Sequence, residues 1–187
     1  MEFIKEMTIL ENTLNKKEEF ITTLGSSTVL LTALDTIDVY KPDGTIISES
    51  RFLKAIARYV ASYTNSSYFI KLTNPANDNL KELATYIKKH HLNLVLDINV
   101  PQIATKNIRI VPLTNVDRTI LNELTDSFQE HHLSNVEILD SYTTSMTADI
   151  IKIELPEEYR NIRNSQNLQK VCKSLIAFIK MYINISD

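Results

Sequence analysis

The sequence predicts an α/β fold in three layers, α/β/α, built on a mixed and mostly parallel central sheet. Three observations carry that prediction. Short apolar runs alternate along the chain with longer segments whose apolar residues recur at helical spacing, the signature of strands and helices in turn. Thr28–Leu34 (TVLLTAL) is β-prone and apolar, as a buried strand is. Asn93–Asn99 (NLVLDIN) is apolar until its C-terminal end, where Asp97 and Asn99 interrupt it. Ligands in open α/β sheets bind beyond the carboxyl ends of strands, and residues two apart on a strand share a face. Asp97 and Asn99 are therefore expected at the site.

Taken in order, residues 1–24 have only loosely spaced apolar positions and read as an uncertain N-terminal extension or ribbon. Gly25 to Ser27 is a turn, and the strand 28–34 delivers Asp35. Val39 to Gly44 reads as a loop with Asp-Gly as its turn. Ser48 is the expected N-cap of a helix from Glu49 to about Tyr63, whose apolar stripe is Phe52, Leu53, Ile56, Ala57 and Val60. Tyr68–Leu72 is a strand, 73–79 a polar loop, and Leu80, Leu83, Ala84 and Ile87 mark a second helix. The central strand follows that helix. Ile108–Val111 is a strand stopped by Pro112. Ile120, Leu121, Leu124 and Phe128 mark a third helix, and Val136–Leu139 is a short strand. After a Ser/Thr-rich loop comes a strand from Asp149 to Leu155, stopped by Pro156. Leu168, Val171, Cys172, Leu175, Ile176 and Ile179 define a long amphipathic C-terminal helix.

Composition narrows the function classes. With 187 residues, 43% hydrophobic and 23% charged, one ordinary globular domain over 1–187 is expected. A formal net charge of −3 gives no footprint for nucleic acid. No apolar run is long enough to span a bilayer, and the N-terminus has no signal-peptide core, so no membrane partner is expected. Cys172 is the only cysteine, which excludes an intrachain disulfide and makes the cytoplasm the simple expectation. Glycine occurs only at 25 and 44. Dinucleotide fingerprints and P-loops need clustered glycines for backbone approach to phosphate, so neither is present.

Chemistry-bearing residues are few. His90-His91 and His131-His132 close helices, where cations suit the dipole. Adjacent helical residues point about 100° apart, so neither pair chelates one ion easily. Cys172 lies on an apolar helix face and reads as a buried structural thiol. The acids are more suggestive: Asp35, Asp97 and Glu154 lie at strand ends, and Glu49 opens a helix.

In their order these stretches resemble the N-formylglutamate amidohydrolase family, which shares a phosphorylase/hydrolase-like fold group with the zinc carboxypeptidases. The resemblance runs from Leu31–Asp35, through Lys41, Gly44 and Glu49, the polar loop Asn74–Asn79 and Asp97-Ile98-Asn99, to Ile151–Glu154 with Tyr159-Arg160. It covers about residues 28–183, and no single motif is intact. It implies that Asp35, Glu49 and Asn99 occupy the zinc-ligand positions, with both family histidines replaced. It implies Glu154 as a vestigial general base, and Lys41, Arg160 and Asp97 as substrate-binding. Zinc favours imidazole and thiolate, so an all-oxygen set suits Mg²⁺, Mn²⁺ or Ca²⁺ better. The expectation is a degenerate relative without zinc or catalysis, acting as a binding or scaffold protein. The alternative is an active metal-dependent amidohydrolase on N-acyl amino acids or peptides, with an oxygen-rich metal site. A small carboxylate ligand or a protein is the partner class left open.

Overall fold

The computed structural model describes residues 2–12, 20–34, 38–40, 46–48, 52–71, 79–140 and 146–186. In chain order the elements are α1 (Glu2–Asn12), β1 (Phe20–Thr23), β2 (Val29–Ala33), β3 (Asp38–Tyr40), β4 (Ile46–Ser48), α2 (Leu53–Thr64), β5 (Ser67–Lys71) and α3 (Asn79–His90). There follow β6 (Leu94–Asn99), β7 (Ile108–Pro112), α4 (Arg118–Glu130), β8 (Val136–Ile138), β9 (Asp149–Glu154), α5 (Glu157–Arg160), a 3₁₀ turn (Ile162–Asn164) and α6 (Ser165–Ser186). Seven strands form one sheet in the order β1-β5-β2-β6-β9-β7-β8. Neighbours β5, β2, β6 and β9 run parallel, β1 and β7 join antiparallel, and β8 runs parallel to β7. The predicted three-layer fold, with β6 at its centre, is the one observed.

The pleat explains the layers. Val29, Leu31, Leu94, Leu96, Ile98, Ile151, Ile153, Ile108 and Ile110 point to one face and are fully buried there. Helices α1, α2, α4 and α6 cover that face through Met7, Ile56, Leu124, Phe128, Val171 and Leu175, among others. Helix α3 packs on the opposite face, where Leu83 and Ile87 meet Leu30, Phe69, Val95 and Ile150. Removing this much apolar surface from water is the main drive to fold. Among the described residues no helix is long and apolar enough to cross a membrane.

Several expectations shift. The N-terminal segment is helix α1 followed by edge strand β1, not an undefined ribbon. Phe3 of α1 stacks edge-on against Tyr59 of α2, with centroids 5.2 Å apart. Of the expected loop 39–44, Val39 and Tyr40 belong instead to strand β3, which pairs with β4, Asp38, Val39 and Tyr40 lying opposite Ser48, Ile47 and Ile46; residues 41–45 lie outside the described residues. Ser48 is therefore a strand residue, not an N-cap. Helix α2 starts at Leu53 behind a buried Phe52 with a left-handed backbone, φ 69°.

The histidine pairs end their helices by backbone geometry. His91 and His132 take left-handed φ of 53° and 60°. This lets Leu92 N–H donate to the Ile87 carbonyl at 3.1 Å, and Leu133 N–H to that of Phe128 at 3.0 Å. These are Schellman closures, with an apolar contact beneath each. Asn65 closes α2 the same way, through Ser66 N–H to Ala61 O at 3.1 Å.

Candidate functional site at the carboxyl ends of the strands

The α3 face changes character halfway along. Residues paired across a sheet point to the same side, so the register assigns that face without ambiguity. Thr32 pairs with Asp97, Asp97 with Lys152, Asn99 with Glu154, Glu154 with Arg109, and Arg109 with Glu137. A polar stripe thus crosses β2, β6, β9, β7 and β8, on the carboxyl-terminal side of the apolar patch under α3.

Within it the groups occupy one another. The Thr32 hydroxyl donates to Asp97 Oδ1 at 2.7 Å, and Asn99 Nδ2 donates to Asp97 Oδ2 at 3.3 Å. Asn99 Oδ1 accepts the Val100 N–H at 2.8 Å. Thr32 is fully buried, and Asp97 and Asn99 are 7% and 3% exposed. Such interior groups are tolerable only when hydrogen-bonded. The Arg109 guanidinium bridges two carboxylates, with Nε on Glu137 Oε1 at 2.7 Å and Nη1 3.8 Å from Glu154 Oε2. Asn107 Nδ2 donates to the other Glu137 oxygen at 3.1 Å.

The electrostatics follow from these contacts. Hydrogen bonds from Arg109 and Asn107 hold the Glu137 carboxyl below the usual range. Burial raises that of Glu154, helped by Glu137 and opposed by Lys152 and Arg109.

Asp97, Asn99 and Glu154 are thus brought to one stripe. Arg160 sits on α5, where its Nε donates to the Leu155 carbonyl at 3.2 Å and braces the turn after β9. Asp35, Lys41 and Glu49 lie outside the described residues. Thr32, Arg109 and Glu137 belong to the site and were not anticipated. The available signal was a lone polar residue inside an apolar run (VLLTA, IRI and VEI). Which such residues meet depends on the antiparallel joining of β7, which periodicity does not reveal.

Beyond the stripe, the β6–β7 connection and the α5–3₁₀ elbow enclose an open hollow of about 460 Å³. Lys106 stands on one wall, and Glu157, Glu158, Arg163 and Asn164 on the other.

The stripe does not fit a zinc amidase centre. All four histidines lie elsewhere: His90 and His91 precede the amino-terminal end of β6, and His131 and His132 end α4 on the opposite face. His131 Nδ1 is 2.9 Å from its own helix's Ser127 carbonyl. The one thiol, Cys172, is buried in α6, and burial pushes its pKa up. No imidazole or thiolate is therefore placed at the strand ends, although zinc favours both. Among the described residues no three His, Cys, Asp or Glu side chains are grouped to hold a metal.

Neither known protein families nor curated protein sequences match the chain. Solved structures do. The catalytic domain of CwlV, an N-acetylmuramoyl-L-alanine amidase from Bacillus (Paenibacillus) polymyxa var. colistinus, matches with TM-score 0.61 and 13% identity, over 83% of this chain and 97% of that one. The N-acetylmuramoyl-L-alanine amidase of Clostridium difficile 630 gives 0.57 and 12%, over 83% and 96%. AmiC2 of Nostoc punctiforme, another such amidase, gives 0.55 and 9%, over 86% and 99%. These findings overturn the resemblance to N-formylglutamate amidohydrolases. That resemblance rested on the order of acids along the chain without an intact motif, and such an order does not identify a family. At these identities the likeness establishes the fold alone: the chain shares the fold of these solved structures.

Proposed function

We propose that this chain is an amidase-fold protein that binds rather than hydrolyses. The observation that carries the reading is the closed hydrogen bonding of the strand-end stripe. Both Asp97 oxygens accept from Thr32 and Asn99, and Glu154 faces a guanidinium. A carboxylate that holds a cation needs oxygens turned to that cation. Leu34, just past the end of β2, is buried in the apolar cluster on the same face of the sheet.

A second reading, metal-dependent amide hydrolysis, draws support from Glu154, whose burial-raised carboxyl suits a general base. Asp35 and Glu49 would then supply the oxygen ligands.

The names of the similar structures suggest the substrate to try. Incubation with N-acetylmuramoyl-L-alanine bearing its peptide, with Zn²⁺, Mn²⁺ or Mg²⁺ added in turn, is followed by mass spectrometry for the released amine. We expect none. Metal-dependent release that disappears in Glu154→Gln replaces the binding reading with the hydrolytic one.

A further inference from the structure

The hollow between the β6–β7 connection and the α5–3₁₀ elbow has an uneven electrostatic lining. One of its acids has a partner on its own wall: Glu157 Oε1 accepts from Asn161 Nδ2 at 3.3 Å. Its two cations are different. Among the described residues neither the Lys106 ammonium nor the Arg163 guanidinium has an ion pair. Both are exposed, and both line the hollow, Lys106 from the β6–β7 connection and Arg163 from the 3₁₀ turn. Asn161 cannot turn inward, because its Oδ1 accepts the Arg163 N–H at 2.9 Å to cap the 3₁₀ turn. Asn164 also lines the space.

We infer that this hollow is a binding site for the carboxylate of a short zwitterionic peptide. Lys106 and Arg163 supply the charge, and Asn164 an amide donor. The acids decide against a dianion: inorganic phosphate would meet Glu157 and Glu158 as well as the cations, whereas a peptide's ammonium is welcome beside them. The volume lies in the range of about 300–1,000 Å³ common to small-ligand sites. The place, outside the carboxyl ends of β6 and β9, is where open α/β sheets bind ligands. The inference goes beyond the binding reading above and does not depend on the state of Glu154, since Lys106 and Arg163 are not part of the stripe.

The test is a ¹⁵N NMR titration of the full chain with L-alanyl-L-alanine, with its C-terminal amide, and with inorganic phosphate. We expect saturable shifts at the Asn164 side-chain amide with the free dipeptide, and little change with the amide or phosphate. The ion contacts are exposed, so affinity is expected to be weak and to fall with salt. Lys106→Glu and Arg163→Glu, each checked for an unchanged melting temperature, should weaken binding by about fivefold apiece. Three results overturn the inference: no shifts with the dipeptide, equal shifts with its amide, or full affinity in the double charge reversal. Shifts with phosphate alone identify a generic anion site and overturn it too. None of these bears on hydrolysis, which the amine-release assay reads separately.

Discussion

Replacing Thr32 with Val probes the closed stripe most sharply. The two side chains are nearly isosteric, and a central β-strand favours Val, so propensity and volume do not penalise the change. What is lost is the 2.7 Å donation to Asp97 Oδ1, made where Thr32 is fully buried and Asp97 is 7% exposed. A hydrogen bond contributes about 0.5–1.5 kcal/mol net, and leaving a buried acceptor short of a donor costs about 1–3 kcal/mol. Asn99 still donates to the other oxygen at 3.3 Å, so we place the loss at about 2 kcal/mol. For a chain of this size that corresponds to a fall of about 4–8 °C in melting temperature. Thr85→Val is the control, because its hydroxyl donates to the Lys81 carbonyl on an exposed helix face; it should stay within about 0.5 kcal/mol of the parent. Thermal and urea unfolding by circular dichroism read both. A Thr32→Val protein as stable as the parent would show that Asp97 does not depend on the Thr32 hydroxyl.

Other outcomes follow from the same geometry. Burial raises the Glu154 carboxyl, so the folded state holds that proton more tightly than the unfolded chain, and ionising it costs stability as pH rises through the raised value. Glu154→Gln should therefore gain melting temperature over the parent at pH 7 and lose that gain near pH 4; an equal difference at both pH values contradicts this. Gly25→Ala should destabilise by about 1–3 kcal/mol, because a Cβ there would stand 2.2 Å from the Asn65 carbonyl oxygen and force apart the turn held by Ser27 N–H on that same oxygen; an unchanged urea midpoint would show that the turn yields freely. Cys172, buried with its thiol pushed up, should resist a disulfide-exchange reagent until the chain unfolds, and prompt labelling of the native protein would contradict its placement.

The fold was legible where one physical pattern dominated. The run Leu94–Asn99 is apolar until Asp97, and it became the central strand; the stripe from Leu168 to Ile179 became α6. Residues 2–12 were harder to read, because α1 buries only Met7 fully and its remaining contacts are partial. The start of α2 was misplaced by the pull of Ser48 as a cap, when β4 takes that residue and Phe52 opens the helix without a side-chain cap. At the site, strand-end logic brought Asp97, Asn99 and Glu154 into view. Thr32, Arg109 and Glu137 stayed hidden, because each looks like one polar interruption until the register sets β7 against β9. The family resemblance erred for a related reason. It rested on the order of acids along the chain, with no motif intact to anchor it.

Zinc titration by calorimetry at pH 7 tests most directly whether the strand-end carboxylates are closed among themselves. We expect no stoichiometric site tighter than about micromolar, an affinity equivalent to about 8 kcal/mol, and an unchanged isotherm in Glu154→Gln. Stoichiometric nanomolar binding that Glu154→Gln or Asp97→Asn abolishes would contradict it, and would mean that these oxygens turn outward to a metal.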